Sequence, residues 1–413
     1  MTQLYAEIIN AVLFGIVLIV FTIGKSPVFR VDRAGAAIIG AAAMMGFGIL
    51  SFDQAIKAID HRTIVILFSM MVIVANLKTA GFFEQTGQII LQNVHSRKAL
   101  LGTVIFISGF VSAFAINDIV CLLFTPVVLF ICNKAGCPPI PHLLGLAMAS
   151  NVGSALTFLG NPQNILIGSL SKLSFFTYLK TASLISVVGL VLIYILICHK
   201  YKSELTGTLE NFTQNEIYFH PYLTIKTLAT LALVLLFYIA GFDIAILSSL
   251  GAAFLLITRR VKPNKIYTSI DFNLLIIFIG LFIIVGGIEA SGLLTKLNTY
   301  LPEAFMQNLN FFAFISVFLS NIVSNVPAVL LLQYYIQPED ASLKWQALAL
   351  FTTFAGNLTI FGSIANLIVV EIAKKHHVQI NAREYFRIGF PLTLLLSLLC
   401  LLWLHLLQAA SFI

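Results

Sequence analysis

Long apolar runs alternate with short polar connections along almost the whole chain, a pattern that predicts an all-α integral membrane protein. Ten runs have the length of crossing helices, at about 8–24, 34–50, 63–80, 142–170, 179–198, 223–241, 243–258, 272–290, 345–374 and 386–408. Two more, 99–131 and 310–336, do not fit a single crossing. The first would extend about 50 Å as one helix, against a hydrocarbon core of roughly 30 Å. Each is interrupted mid-way by polar residues, "AINDIV" and "IVSNVP". Both therefore read as re-entrant hairpins, whose turns are tolerated at depth only when buried in protein or facing a water-filled cavity.

Charge tests this layout. With the N-terminus placed outside, eighteen of the 24 basic residues fall on the cytoplasmic side, as the positive-inside bias requires. The C-terminus is then expected outside too. The composition, 59% hydrophobic and 10% charged, excludes an ordinary soluble enzyme. The net charge of +7 is scattered over loops and forms no nucleic-acid-binding patch. Cys121, Cys132, Cys137, Cys198 and Cys400 show no Cys-x-x-Cys pair and no zinc-ligand spacing with histidine, so the expectation is neither disulfide framework nor metal site. His142, near a loop, reads as an interface residue rather than a proton relay. The first apolar run lacks a basic n-region and a cleavage site, and is expected to be a span rather than a signal peptide.

The chain also matches itself. "DHRTIVILFSMMVIVANLKTAGFFE" from Asp60 lies over "DFNLLIIFIGLFIIVGGIEASGLLT" from Asp271, and "SAFAINDIVCLL" from Ser112 over "SNIVSNVPAVLL" from Ser320. "LTFLGNPQNIL" from Leu156 lies over "LTIFGSIANLI" from Leu358. The offsets are 211, 208 and 202 residues. Residues 1–200 and 223–413 are thus expected to be two copies of one plan, joined by a polar cytoplasmic linker over 201–222. Five crossings per copy is an odd number, so the copies should be inverted. Inverted repeats with interrupted helices point to a secondary transporter.

The segment "SNVGSALTFLGNPQN", Ser150 to Asn164, sits in an otherwise oily span. Its Gly-Asn-Pro should unwind the helix and free backbone groups that cost several kcal/mol each in hydrocarbon but can bind ions inside a bundle. Candidate ligands are therefore Asn117 and Asp118 at the first hairpin tip with Asn151, Ser154, Thr157, Gly160, Asn161 and Asn164 at the first break. The second set is Ser324 and Asn325 at the other tip with Asn357, Thr359, Gly362, Ser363 and Asn366. Substrate is expected between the two sets. The plainer roles are hydroxyls bonded to their own helix backbone and asparagines joining helices. Asp118 is an acid at membrane depth whose partner in the second copy is Val326, which makes it the candidate carrier of a proton or Na⁺. A water-exposed tip is the plainer alternative. Basic residues of the predicted spans fall only near their ends, so an anion would have to rely on helix ends, amides and co-bound cations.

At "INDIVCLLFTP", "SNVGSALTFLGNPQN", "SNIVSNVPAVLLL" and "AGNLTIFGSIANLIVVE" the sequence resembles the ion transporter superfamily. That group includes divalent-anion/sodium symporters, arsenite permeases and Na⁺/H⁺ antiporters of the citrate-transporter-like fold. The resemblance covers nearly the whole chain. It implies a homodimeric elevator transporter with a scaffold domain and a transport domain holding the hairpins and broken helices. The dicarboxylate symporters carry Ser-Asn-Thr at both tips. Here the tips read Ile116-Asn117-Asp118 and Ser324-Asn325-Val326, and the first looks more like the arsenite-permease branch. The resulting expectation is a cation-coupled carrier, using H⁺ or Na⁺, for a small anion or oxyanion in a bacterial inner membrane. The alternatives are a Na⁺/H⁺ antiporter, an arsenite or antimonite efflux permease and, from another class, an ion channel. No paired nucleophile or metal cluster suggests an enzyme.

Overall fold

The computed structural model describes residues 3–209, 218–293 and 303–410. The middle of the predicted linker and residues 294–302 of the second copy lie outside these. Among the described residues the chain is helical without strands, and six helices are long and apolar enough to cross a membrane. These are His61–Thr79, Asn117–Lys134, Phe175–Lys200, Pro221–Ile239, Phe272–Ala290 and Ala382–Ala409. Shorter apolar helices cover Glu7–Phe21, Arg33–Gly46, Ile244–Leu256 and Leu309–Val323. Their outward faces carry large bare hydrophobics such as Ile225, Leu236, Leu250, Phe254 and Leu402, a surface suited to lipid rather than water.

The two predicted hairpins each form a pair of helices, Arg97–Ser112 with Asn117–Lys134 and Leu309–Val323 with Asn325–Leu332. Asn117–Lys134 alone has the length of a span, which the reading of 99–131 as one re-entrant unit did not anticipate. The two spans flagged as interrupted are interrupted. Pro139–Ser154 stops before Pro162–Leu170, and Ala341–Ala355 stops before Ile364–Lys375, with a 3-10 turn over Ile360–Gly362 between. Short helices at Phe52–Ala58, Phe82–Asn93, Pro263–Tyr267 and Glu303–Gln307 carry no apolar run long enough to have been noticed.

Local chemistry sets the helix starts. Asp60 accepts from the backbone N–H groups of Arg62 and Thr63, and Asp271 from Leu274. Ser96, Ser174, Asp243 and Asn381 cap other helices in the same way, each worth about 1 kcal/mol. Aligned positions adopt like conformations. Ile116 and Ser324, 208 residues apart, are two of four non-glycine residues with positive φ among the described residues, at 30° and 75°. Gly81 and Gly292, 211 apart, have φ of 74° and 76°. The described ends of the predicted linker are bonded to the fold: Leu209 N–H donates to His95 O at 3.0 Å, and His220 N–H to Ala80 O at 2.9 Å.

Pro139–Ser154 is the axis of the molecule, with every residue from Pro141 to Ser154 buried. It crosses Arg97–Ser112 so closely that a Cβ added to Gly153 would sit 2.1 Å from the carbonyl oxygen of Gly109. Small residues at such crossings let backbones meet where lipid supplies no hydrophobic drive. Gly153→Ala should therefore cost roughly 1–3 kcal/mol, the usual penalty of overpacking. Gly15→Ala, which meets nothing within 4 Å, should be neutral or mildly stabilising. Thermal unfolding of both variants in detergent checks this. Equal melting temperatures would show the crossing to be looser than described.

Candidate functional site

Each break would leave orphan carbonyls at the end of its first half-helix and orphan N–H groups at the start of its second. One asparagine closes each gap. Asn164 Nδ2 donates to Thr157 O at 3.2 Å and, at a long 3.5 Å, to Ser154 O. Asn366 Nδ2 donates to Gly356 O at 2.7 Å and to Thr359 O at 3.2 Å. All three positions are related by the same 202-residue offset. Asn161 caps the second half-helix of the first break, its Oδ1 accepting from Asn164 N–H at 2.8 Å. Pro162, at the first helical position, has no N–H to leave unpaired.

A second set of bonds ties the breaks to each other. Asn151 donates to Asn357 Oδ1 and Asn366 Oδ1, both at 3.0 Å. Its own Oδ1 accepts from Asn117 at 2.9 Å and from Ser363 at 3.0 Å. Thr353, the residue 202 further on, does the converse: its hydroxyl accepts from Asn161 at 3.2 Å and donates to Asn164 Oδ1 at 3.4 Å. Contacts thus recur with the two halves exchanged, 151 to 363 and 366, 353 to 161 and 164. Such reciprocity is the mark of an interface between equivalent units. The space predicted to receive substrate between the two sets is filled by this network.

The open space lies at the hairpin tips. Asn117 N–H donates to Gly160 O at 2.8 Å, and Thr157 Oγ1 donates to Ala113 O, so the first tip docks on the first break. Ser320 Oγ donates to Thr352 O at 3.1 Å and Asn321 Nδ2 to Ala355 O at 3.1 Å, docking the second. With its amide turned to satisfy both ends, Asn325 donates to Gly362 O at 3.3 Å and accepts from Gln163 Nε2 at 3.1 Å. Between the tips is a cavity of about 40 Å³. One wall holds Asn117, Asp118, Ser324, Asn325 and Ser363 together with Gln163. The other is Phe21, Arg33 and the helix carrying Leu274, Phe278 and Leu281. Half-buried Asp118 faces the backbone N–H of Ala365, in the first turn of Ile364–Lys375.

Five of the fifteen candidate residues line this cavity: Asn117, Asp118, Ser324, Asn325 and Ser363. Asn151, Ser154, Thr157, Gly160, Asn161, Asn164, Asn357, Thr359, Gly362 and Asn366 lie behind it, as the frame that holds the tips. Gly160 is hemmed in, for a Cβ there would meet Ser154 O at 2.1 Å. Arg33, counted among loop residues, faces the cavity, with its Nε donating to Phe21 O at 2.9 Å. Its signal was an arginine in the first turn of a helix, where the helix dipole disfavours positive charge. Lys344, also counted in a loop, is buried and paired with Asp340 at 2.6 Å. His142 is fully buried beside Cys132 and Cys137.

A helical molecule with bare apolar outer faces, paired helix breaks and an internal cavity has the make-up of a multi-pass membrane protein. Residues 16–355 match the family described as "Citrate transporter", and the chain belongs to that family. It is 26% identical to a silicon efflux transporter, LSI3, of Oryza sativa subsp. japonica, over 94% of this chain and 96% of that one. It is also 26% identical to a Dictyostelium discoideum protein carrying the name transporter arsB, over 94% and 91% of the two chains. Its fold is similar to the crystal structure of the Alcanivorax borkumensis YdaH transporter, with a TM-score of 0.58, 14% identity and 99% and 98% coverage.

The frame assignment has a measurable consequence. Asn164→Leu and Asn366→Leu should each destabilise the ligand-free protein by about 1–3 kcal/mol, because buried carbonyls lose their donors. Melting curves without substrate read this directly, and wild-type stability in both variants would contradict the clamp.

Proposed function

We propose that this protein is a cation-coupled secondary transporter of a small anion or oxyanion. The observation that carries the reading is the meeting of Arg33 and Asp118 in one cavity at the hairpin tips. An anion takes the Arg33 guanidinium and the hydroxyl of Ser324. A proton or Na⁺ takes the Asp118 carboxylate with Asn117 Oδ1, which is buried and without a partner among the described residues. Cargo and coupling ion then offset each other's charge in a site that holds one group of each sign. The cavity of about 40 Å³ suits a species of a few heavy atoms, well below the 300–1,000 Å³ of typical organic-ligand pockets. That size, with the silicon efflux relative, favours an inorganic oxyanion or hydroxide over a tricarboxylate.

An elevator movement fits the placement of the cavity. Its polar wall belongs to the hairpins and broken helices, which are bonded into one unit. Its other wall belongs to Arg33–Gly46 and Phe272–Ala290, which pack on each other. A site on that seam changes sides when one unit slides past the other. We assign residues 1–200 and 223–413 to inverted repeats, supported by the exchanged hydrogen bonds, and place the protein as a homodimer in a bacterial inner membrane with both termini outside. The second reading, arsenite or antimonite efflux, uses the same cavity for a small hydroxide and is favoured by the arsB-named relative.

Proteoliposomes loaded with defined gradients test this. Asp118→Asn should abolish proton- or sodium-driven uptake while leaving exchange of bound substrate. Arg33→Gln should raise the apparent KM for an anion about 10–100-fold, the worth of one charge-assisted hydrogen bond. Unchanged coupling in the first variant would remove Asp118 from the mechanism, and unchanged KM in the second would redirect the search to a neutral substrate.

A further inference from the structure

Away from the substrate cavity, at the far end of Asn117–Lys134, the fold gathers two thiols and an imidazole. The ligand atoms of Cys132, Cys137 and His142 all lie within 4.8 Å of one another, and all three residues are buried. The local backbone explains the meeting of the cysteines. Gly136 has φ of 60°, and Cys137 N–H turns back to Cys132 O at 3.0 Å. That is a Schellman ending, which brings the residue after the left-handed glycine over the one five positions earlier. The motif alone accounts for two sulfurs in contact; it does not account for the third ligand. His142 comes from the first turn of Pro139–Ser154, and its Nδ1 lies 3.0 Å from Pro138 O. A metal-bound imidazole characteristically gives its other N–H to such a carbonyl; Nε2 faces Arg97 O at a long 3.3 Å, a contact that an ion would replace.

We infer that Cys132, Cys137 and His142 form a zinc site with two thiolates, one imidazole and one open position. Tetrahedral zinc needs its sulfur and nitrogen ligands roughly 3.5–3.8 Å apart, so the cluster must contract by about 1.3 Å at most, within reach of side-chain rotation. Surroundings fit a pair of thiolates. Arg97 stands beside them, its guanidinium donating to Gly136 O at 2.9 Å and Glu204 O at 3.1 Å. A cavity of about 760 Å³, lined by Arg97, Cys132, Cys137 and His376, reaches the cluster and supplies a route for the ion and for a fourth ligand. Arg97, Lys98 and Lys134 place this end on the side with the excess of positive charge, the cytoplasmic side, where thiols stay reduced. The sequence showed no metal-ligand spacing among these cysteines, because the third group comes from a different helix. Zinc here would join the outer end of the first hairpin to the start of the first broken helix, both within the unit that carries the cavity.

The full-length protein, reduced and chelator-treated in detergent, is titrated with Zn²⁺ against a chromophoric chelator. One tightly held zinc per chain is expected. Cys132→Ser or Cys137→Ser should weaken it more than about 100-fold, beyond the 10–100-fold that loss of a ligand-orienting group costs, while Cys198→Ser changes nothing. Should a serine variant fail to fold, Co²⁺ added to the wild type gives the second readout, a thiolate-to-cobalt charge-transfer absorption. Absence of that absorption, no zinc retained at micromolar concentration, or binding undiminished in both serine variants would overturn the assignment.

Discussion

Unpaired backbone polar groups cannot be left inside a lipid-embedded core, and this structure turns on how two helix breaks meet that demand. An orphan carbonyl at such depth costs several kcal/mol. Asn164 and Asn366 reach back across the gaps and donate to the carbonyls their own breaks expose. An asparagine can do so because its amide supplies two donors and an acceptor without a charge to desolvate. The breaks then hold their shape as rigid loops, and the positive-φ turns at Ile116 and Ser324 have fixed surfaces to dock on.

That division separates residues that shape the site from residues that face it. The amides at the centre are consumed by one another. Asn151 uses both donors and its acceptor oxygen on residues of the other break and the first tip. The cavity is lined where the frame ends, by the tips and by Arg33 from a separate helix. A polar network of this kind specifies one arrangement only when every member is satisfied. Asn117 Oδ1, unpartnered among the described residues, sits at the edge where the network gives way to the cavity.

Much of this was legible in the chain because the chemistry of interruption is local. Gly160, Asn161 and Pro162 in succession disfavour a continuing helix and favour a new start at the proline, and Asp60 and Asp271 cap helices through their own neighbouring N–H groups. A match between halves could be read too, since polar identities recur in the same order in greasy surroundings. What the asparagines do with their amides was not. Asn164 looks the same in sequence whether it holds an ion or its own backbone, and only the distance to Thr157 O separates the two. Thr353 drew no notice because its equivalent, Asn151, is a different residue type.

The sequence by itself determined the apolar surroundings, the longer helices, the places where two of them break and the family, for these follow from apolar runs, caps and breakers acting over a few residues. Only the tertiary structure decided which polar residues face the cavity. It turned Arg33 from a loop charge into a cavity wall and carried Cys132, Cys137 and His142 into one cluster. Those outcomes depend on how separate helices pack, and side-chain direction across a packed interface is not written in the residues of either partner alone.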